Sequence, residues 1–473
     1  MGVEIAPLPS INELEIRNVG AWGEDGAVKQ ELLHSLRVMV IGSDVLSQMV
    51  LSNLAGLGVG NICCVDGSPI TGADQYNFLY FKKHGQKSLL GQKRAAFIAS
   101  TLRAINPFST ITYHASGFKI DYADGFNPEV IVDATNNPSS KQACLDYCMQ
   151  KPIPFVSAVS SRQRAELAVF NPDMESGALE NIVQSDFVSE GHGSYTSGVI
   201  SALAAEQIRK LRFSIDGSCI DRPLKTGRIV EYDPHLSLDG EPNFGDLSVL
   251  VIGAGAIGNF VALNLALLDV GNVDIIDGDK IEDHNLNRQI LFYGKSGHPK
   301  SQVLSERIKE INPSLNGSFY NEYLTEDMFN VLGAGKLSYN AIFGCVDNQQ
   351  ARYLGNKLAV THRIPYIDGG TSTTGGRVVA YIPGKNRCVD CQFDLGQYRL
   401  LTPMRGQGCA QNPDPSIIVP NMLIGSAMVA EFVNILFGAS HLEERAFKYD
   451  TYSRDKIYFQ PIGVFGQCGL GCF

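Results

Sequence analysis

Basic tracts are missing from this chain: its 39 Lys and Arg residues are scattered and outnumbered by 49 Asp and Glu, for a net charge of −10. That argues against a nucleic-acid partner, because phosphate backbones are held by clustered positive charge, and leaves room for a basic peptide or small protein. Also missing are an apolar run of membrane-spanning length and a positively charged leader with an apolar core. The expectations are no membrane association and a cytoplasmic location. Cysteine is sparse, with 11 in 473 residues, too few and too scattered for a disulfide framework. The remaining composition, 44% hydrophobic and 19% charged, is that of a globular protein.

What is present is a repeat. RVMVIGSDVLSQMVLSNLAGLGVGNICCVDG starts at Arg37, and SVLVIGAGAIGNFVALNLALLDVGNVDIIDG starts 211 positions on, at Ser248. The same offset relates Asp66 to Asp277, Phe81 to Phe292, Asn136 to Asp347 and Pro154 to Pro365. Duplication with a polar Gly/Pro-containing stretch between the copies predicts four parts. These are an N-terminal segment over 1–36, an α/β domain over 37–236, a linker over 237–246 and a second α/β domain over 247–473.

Within the second copy, VLVI reads as a buried strand, Gly253-Ala-Gly255-Ala-Ile-Gly258 as a Gly-rich turn and NFVALNLALLDVG as a helix, with the next strand ending at Asp277. Strand, Gly-rich turn, helix and a later acid make a nucleotide loop: glycines admit phosphate to the backbone, and the acid suits a ribose hydroxyl. On that pattern alone a nicotinamide dehydrogenase stays open. The residues that follow favour phosphate chemistry: Asp277-Gly-Asp279, Asn285-Leu-Asn287-Arg288-Gln289, Lys300, and Asp347 at the end of the strand AIFGCV. Two cations and several carboxylates suit attack on a phosphate, whereas hydride transfer needs no such set.

Four cysteines stand apart as two short pairs, Cys388-Val-Asp-Cys391 and Cys468-Gly-Leu-Gly-Cys472. Two thiolate pairs on separate turns can close a tetrahedral Zn²⁺ site; reduced thiols or a redox pair are the other readings. Cys345, at a strand end, is expected in the core.

This set of motifs resembles the ThiF/MoeB and ubiquitin-activating enzyme superfamily, in which GxGxxG is followed by DxD, NLxRQ, a Lys and a strand ending in Asp. The resemblance covers both halves, roughly 14–236 and 247–473. It implies two Rossmann-like ThiF-type domains joined as an intramolecular pseudo-dimer. It further implies that Gly253, Gly255 and Gly258 cradle ATP and Asp277 binds its ribose. Asp279 and Asn285 would line the pocket, Arg288 and Lys300 would meet the phosphates, and Asp347 would hold Mg²⁺. Arg17, in IRNVGAWGE ahead of the first repeat, matches an arginine that relatives send into the other unit's pocket, although Asn18 stands where they have Gln.

The first copy departs from the pattern. Asp44 and Ser47 replace Gly255 and Gly258, and Ser68, Asn77 and Asn136 stand opposite Asp279, Arg288 and Asp347. Phosphate cations and metal carboxylate are thus expected to be absent, leaving a half without productive ATP binding. The helices within 197–211 and 423–436 are alike and are expected to form the interface between halves.

The implied reaction is ATP- and Mg²⁺-dependent adenylation of the C-terminal carboxylate of a small carrier protein or ribosomal peptide. A conjugation-type enzyme forming a thioester on Cys409 is the alternative, and a non-catalytic nucleotide-binding scaffold is a third reading. Because the dimer is internal, a monomer would suffice.

Overall fold

The computed structural model describes residues 12–472 except 24, 73, 75–77, 80–89, 174–178, 184–192, 214–221, 235–242, 334–337, 394–414, 454–455 and 464–467. Each repeat builds one sheet. In the first, Arg37–Ile41 (β1), Asn61–Val65 (β2), Thr110–His114 (β3), Val130–Asp133 (β4) and Phe155–Ser160 (β5) run parallel, and Ala165–Phe170 (β6) and Ile229–Tyr232 (β7) are antiparallel. The order is β3-β2-β1-β4-β5-β6-β7.

In the second, Ser248–Ile252 (β8), Asn272–Ile276 (β9), Phe319–Tyr320 (β10), Ala341–Gly344 (β11) and Tyr366–Thr371 (β12) run parallel. Gly375–Tyr381 (β13), Arg445–Asp450 (β14) and Ile457–Pro461 (β15) are antiparallel. The order β10-β9-β8-β11-β12-β13-β14-β15 repeats the first sheet and adds one strand. The central strands are buried on both faces, which is why VMVI and VLVI are continuous apolar runs with no polar alternation. In each sheet the order reverses beside the first strand, between β1 and β4 and between β8 and β11. The crevice at the carboxyl ends there is where open α/β sheets take ligands.

Between the sheets lies a shared apolar core containing the helices Val45–Leu57 and Ser194–Phe213 of the first half and Ala256–Leu267 and Ile418–Leu436 of the second. Smaller cores cover the outer face of each sheet. The two halves repeat the same bond inside their own helix pairs: Asn53 Nδ2 meets Ser201 Oγ at 3.5 Å in the first, and Asn264 Nδ2 meets Ser426 Oγ at 3.1 Å in the second. Gly198 lies so close to Ser426 that a Cβ there would collide with the serine side chain. The expected interface helices are therefore the observed ones, and the chain is a pseudo-dimer of two Rossmann-like units.

A buried acid sits at the same place on each interface helix. Glu206 pairs with Arg209 at 2.8 Å and accepts from the Thr451 hydroxyl of the other half. Glu431 has hydroxyl and amide partners in Ser440 and Asn434, and burial pushes its carboxyl up to about 7.

One expectation is corrected. The helix Ile418–Leu436 is long and apolar enough to cross a membrane by length and composition, but 94% of its apolar window is buried inside the protein. Its hydrophobicity on all sides reflects its place between two sheets.

Candidate functional site

The turn after β8 is shaped by its glycines. Gly253 has φ of +96°, and a Cβ on Gly258 would run into the Gly253 carbonyl, so the helix Ala256–Leu267 can start directly against the strand end. Gly255 is the N-cap and supplies no side-chain cap, and a Cβ there would meet only open space. The first turn of this helix thus presents its amides to whatever enters the crevice, an arrangement that favours an anion. Asp277 braces the turn: its carboxylate accepts from Ala254 N at 2.7 Å and Asp279 N at 2.8 Å. Burial raises the Asp277 pKa, while the Lys300 charge and these two bonds oppose the shift.

Three cations from three parts of the chain converge beside this turn. Lys300, first residue of the helix Lys300–Ile311, donates to Asp279 at 2.9 Å, and Tyr323 donates to the other Asp279 oxygen at 2.6 Å. Burial would raise the Asp279 pKa, but Tyr323 and Lys300 outweigh it and hold the carboxyl below its usual range. Arg288 is 5% exposed and donates to the His284 carbonyl at 2.9 Å and to Asn287 Oδ1 at 2.7 Å. Burial first and Arg17 second push its pKa down to about 9, with Asp347 pulling the other way. A guanidinium held charged under that load calls for a counter-anion.

Arg17 comes from the helix Ile16–Ala21, before the first repeat, and its Nη2 donates to His284 Nε2 at 2.8 Å. Since arginine only donates, that ring nitrogen is the acceptor and the proton lies on Nδ1, which is 3.2 Å from Glu282. His284 is pushed below its usual pKa by burial and then by Arg17, with Arg288 and Lys300 adding to the shift and Glu282 opposing it. Asp347 is exposed at the end of the β11 segment, where its charge acts on Arg288. Asn285 is buried, and its side chain accepts from Glu282 N at 3.2 Å in a local capping box. Cys345 is in the core, with its thiol pKa raised by burial. Cys409 lies outside the described residues, as do Asn77 and Phe81.

The first half shows what one substitution does to the same turn. Gly42 keeps a positive φ of +115°, but Asp44 caps the helix Val45–Leu57, accepting from Ser47 N at 3.1 Å and Ser47 Oγ at 3.0 Å. A fixed carboxylate fills the place where an anion would sit. The constant offset breaks nearby: the isolated bridge Pro69 to Lys93 corresponds to Lys280 to Pro299, which sets Arg94 opposite Lys300. One expected loss is thereby corrected, because a cation persists at this position. Arg94 is engaged with the buried Asp74 as an ion pair.

The four paired cysteines come together at the end of the second half. All four Sγ atoms lie within 4.8 Å of one another, with 388–391, 388–468 and 391–472 each at 3.8 Å. Zn–S bonds of about 2.3 Å in a tetrahedron give edges of about 3.8 Å, so the cluster fits a four-coordinate metal.

Sequence reasoning missed the bridge between halves. Asn287 Nδ2 donates to Asn18 Oδ1 at 2.7 Å and to the Ser416 carbonyl at 2.9 Å, and Asn18 donates to the Gly56 carbonyl at 2.9 Å. Asn287 lies inside the NLxRQ match, and Asn18 is the departure from Gln. The two buried amides lie 269 residues apart, and no sequence signal links them. His284 and Tyr323 carry no motif of their own.

A family model, "ThiF family", matches residues 15–233 and again 231–467. Among curated proteins, "Adenylyltransferase and sulfurtransferase MOCS3" of Arabidopsis thaliana is 29% identical over 241 residues, 50% of this chain and 49% of that protein. "Sulfur carrier protein ThiS adenylyltransferase" of Escherichia coli (strain K12) is 28% identical over 205 residues, 43% of this chain and 77% of that protein. The chain spans about half the length of the MOCS3 and UBA4 relatives it matches in Arabidopsis thaliana, Zea mays and Yarrowia lipolytica. A crystal structure of E. coli MccB with ATP aligns with a TM-score of 0.40 at 23% identity, over 48% of this chain and 67% of that chain.

Proposed function

This chain belongs to the ThiF family, and from that premise we propose that its second half adenylates the C-terminal carboxylate of a small carrier protein or peptide while its first half completes the site. The observation that carries the reading is the convergence of the Arg17, Arg288 and Lys300 charges on His284, together with an uncapped helix start at Gly255. Curated relatives are named as adenylyltransferases, one of them for a sulfur carrier protein, which supports both the reaction and the class of partner.

In the proposed reaction a carboxylate oxygen bonds to the α-phosphorus of ATP, the bond from that phosphorus to the β-bridging oxygen breaks, and pyrophosphate leaves with the electron pair. Gly253, Gly255 and Gly258 leave the amides open to the triphosphate, and Asp277 is the ribose ligand. Asp279 and Asn285 shape the pocket wall. Arg288 and Lys300 offset the charge that grows on the phosphate oxygens, and Arg17 reaches the distal phosphates from the first half. Lys300 must exchange Asp279 for phosphate as ATP enters.

Asp347, an exposed carboxylate at a strand end beside Arg288, is the residue that would hold Mg²⁺; one carboxylate plus substrate phosphates is a usual set for that ion. Mg²⁺ there would supply charge neutralisation on the phosphates. Cys388, Cys391, Cys468 and Cys472 would hold a structural Zn²⁺, fixing 468–472 to the Cys388–Cys391 turn. A cytoplasmic monomer acting on protein or peptide, without nucleic acid or membrane, accords with this reading.

The test is ATP–pyrophosphate exchange with peptides bearing a free C-terminal carboxylate and with the same peptides amidated. Exchange confined to the free acids, and lost in Arg288→Ala, supports the proposal; no exchange with any free acid sinks it. Thioester formation at Cys409 is the second outcome to score, and a reductant-sensitive adduct that disappears in Cys409→Ala would establish it.

A further inference from the structure

The first half retains a cavity at its own strand-reversal point, with a volume of about 540 Å³, within the roughly 300–1,000 Å³ of small-molecule sites. Its walls include Ile41, Asp66, Ser68, Thr135, Asn137 and Ser140, at the carboxyl ends of β1, β2 and β4. By the 211-residue offset these occupy the places of Ile252, Asp277, Asp279, Val346, Asn348 and Ala351 in the second half. The cavity is thus the pseudo-symmetric counterpart of the nucleoside end of the proposed ATP site, and the identification rests on that reading.

The phosphate end has been changed differently. Asp44 occupies the helix start with its carboxylate, and Arg94, which stands where Lys300 would be, is ion-paired with Asp74. Among the described residues the cavity wall includes no Lys or Arg; the cation beside it, Lys93, donates to the Gly67 carbonyl at 2.6 Å. Its polar groups are of both kinds, and the hydroxyls nearest the sheet are held by a buried acid. Thr135 Oγ1 and Ser140 Oγ each donate, at 2.6 Å, to Asp133, a fully buried carboxylate beneath the cavity that is ion-paired with Lys141; Thr135 Oγ1 also accepts from Asn137 N at 3.3 Å, and the Ser140 oxygen keeps its accepting capacity. Asp66 adds an anionic acceptor, already fixed by Ser68 N at 2.6 Å. A pocket with the Asp66 carboxylate and apolar walls, beside a helix start already filled by Asp44, suits a neutral ligand with hydroxyl and amino donors and disfavours an anion.

The geometry points to a second ligand site in the first half, one that takes an unphosphorylated nucleoside and rejects the corresponding nucleotide. The duplicated fold would then carry two sites of opposite phosphate preference, one on each side of the shared helical core.

The test is calorimetric titration of the full chain with adenosine and with AMP, in the presence of saturating ATP and Mg²⁺ so that the second half is filled. One adenosine site per chain is expected, with AMP at least tenfold weaker. Ala143→Trp, which enlarges an exposed helical residue at the cavity wall, is expected to weaken adenosine at least tenfold and to leave ATP binding unchanged. Asp66→Ala is expected to do the same by removing the carboxylate. Loss of all adenosine binding under saturating ATP, AMP binding as tightly as adenosine, or insensitivity to both substitutions would overturn the assignment. Failure of the adenylation reading would look different: ATP itself would show no site.

Discussion

Arg17 donates to His284 Nε2 at 2.8 Å across 267 residues of sequence, so a side chain placed before the first repeat ends against the residue that precedes the Asn285–Gln289 motif of the second. The first half therefore reaches the candidate site directly, through one guanidinium, as well as through the shared core. Arg17→Ala is expected to lower the rate of adenylate formation by roughly 10²–10³-fold with little change in thermal stability. Single-turnover pyrophosphate release measures it, and Arg17→Lys, which keeps charge but loses the planar fork, should recover only part of the rate.

Capping by Asp44 explains the closed turn of the first half, and the explanation can be transplanted. Gly255→Asp would put the same carboxylate into the second half at a position with φ of −71° and open space around it, so no strain is introduced. The aspartate is expected to cap its helix by accepting from Gly258 N and to weaken ATP by about 100-fold or more, read with a fluorescent ATP analogue. Gly255→Ala, which brings no charge, should weaken it far less.

How much of this could be read from the sequence follows from what each contact depends on. The strands β1, β2, β4 and β5 recur as β8, β9, β11 and β12 at the 211-residue offset because buried parallel strands leave no room for insertion. Between Lys280 and Pro299 the chain lies outside the strands, where length is free to differ between the copies; the offset slips there, and the 211-residue spacing does not set Arg94 opposite Lys300. The Gly-rich turn and the cysteine pairs were legible because local backbone geometry and ligand spacing are written in short motifs. The Asn18–Asn287 bond and the Arg17–His284 bond were not, because each depends on how two domains face one another across the pseudo-two-fold.

The metal cluster gives a third prediction. Native protein is expected to contain one zinc per chain by elemental analysis, and Cys388→Ser is expected to lose it. Stability should then fall by several kcal/mol, as is usual when a structural zinc is removed, with the change seen in chemical denaturation. Retention of zinc in that variant would place the metal elsewhere.

Glu431 supplies a pH dependence. Its folded pKa is raised to about 7 by burial, from an ordinary 4.5, so the native state holds a proton that the unfolded state releases between those values. Native stability is therefore fully retained from this group below about pH 4.5 and declines as pH rises toward 7, by roughly 3 kcal/mol in total. Glu431→Gln should flatten that decline, raising the denaturation midpoint at pH 8 and leaving it nearly unchanged at pH 4.5.

The central claim is one composite ATP site per chain, built on the second repeat and completed by the first. Calorimetric titration of the intact chain with ATP and Mg²⁺ tests it most directly. A stoichiometry of one, weakened in both Arg288→Ala and Arg17→Ala, is the predicted result. Two equivalent sites per chain, or one site indifferent to Arg17, would contradict it.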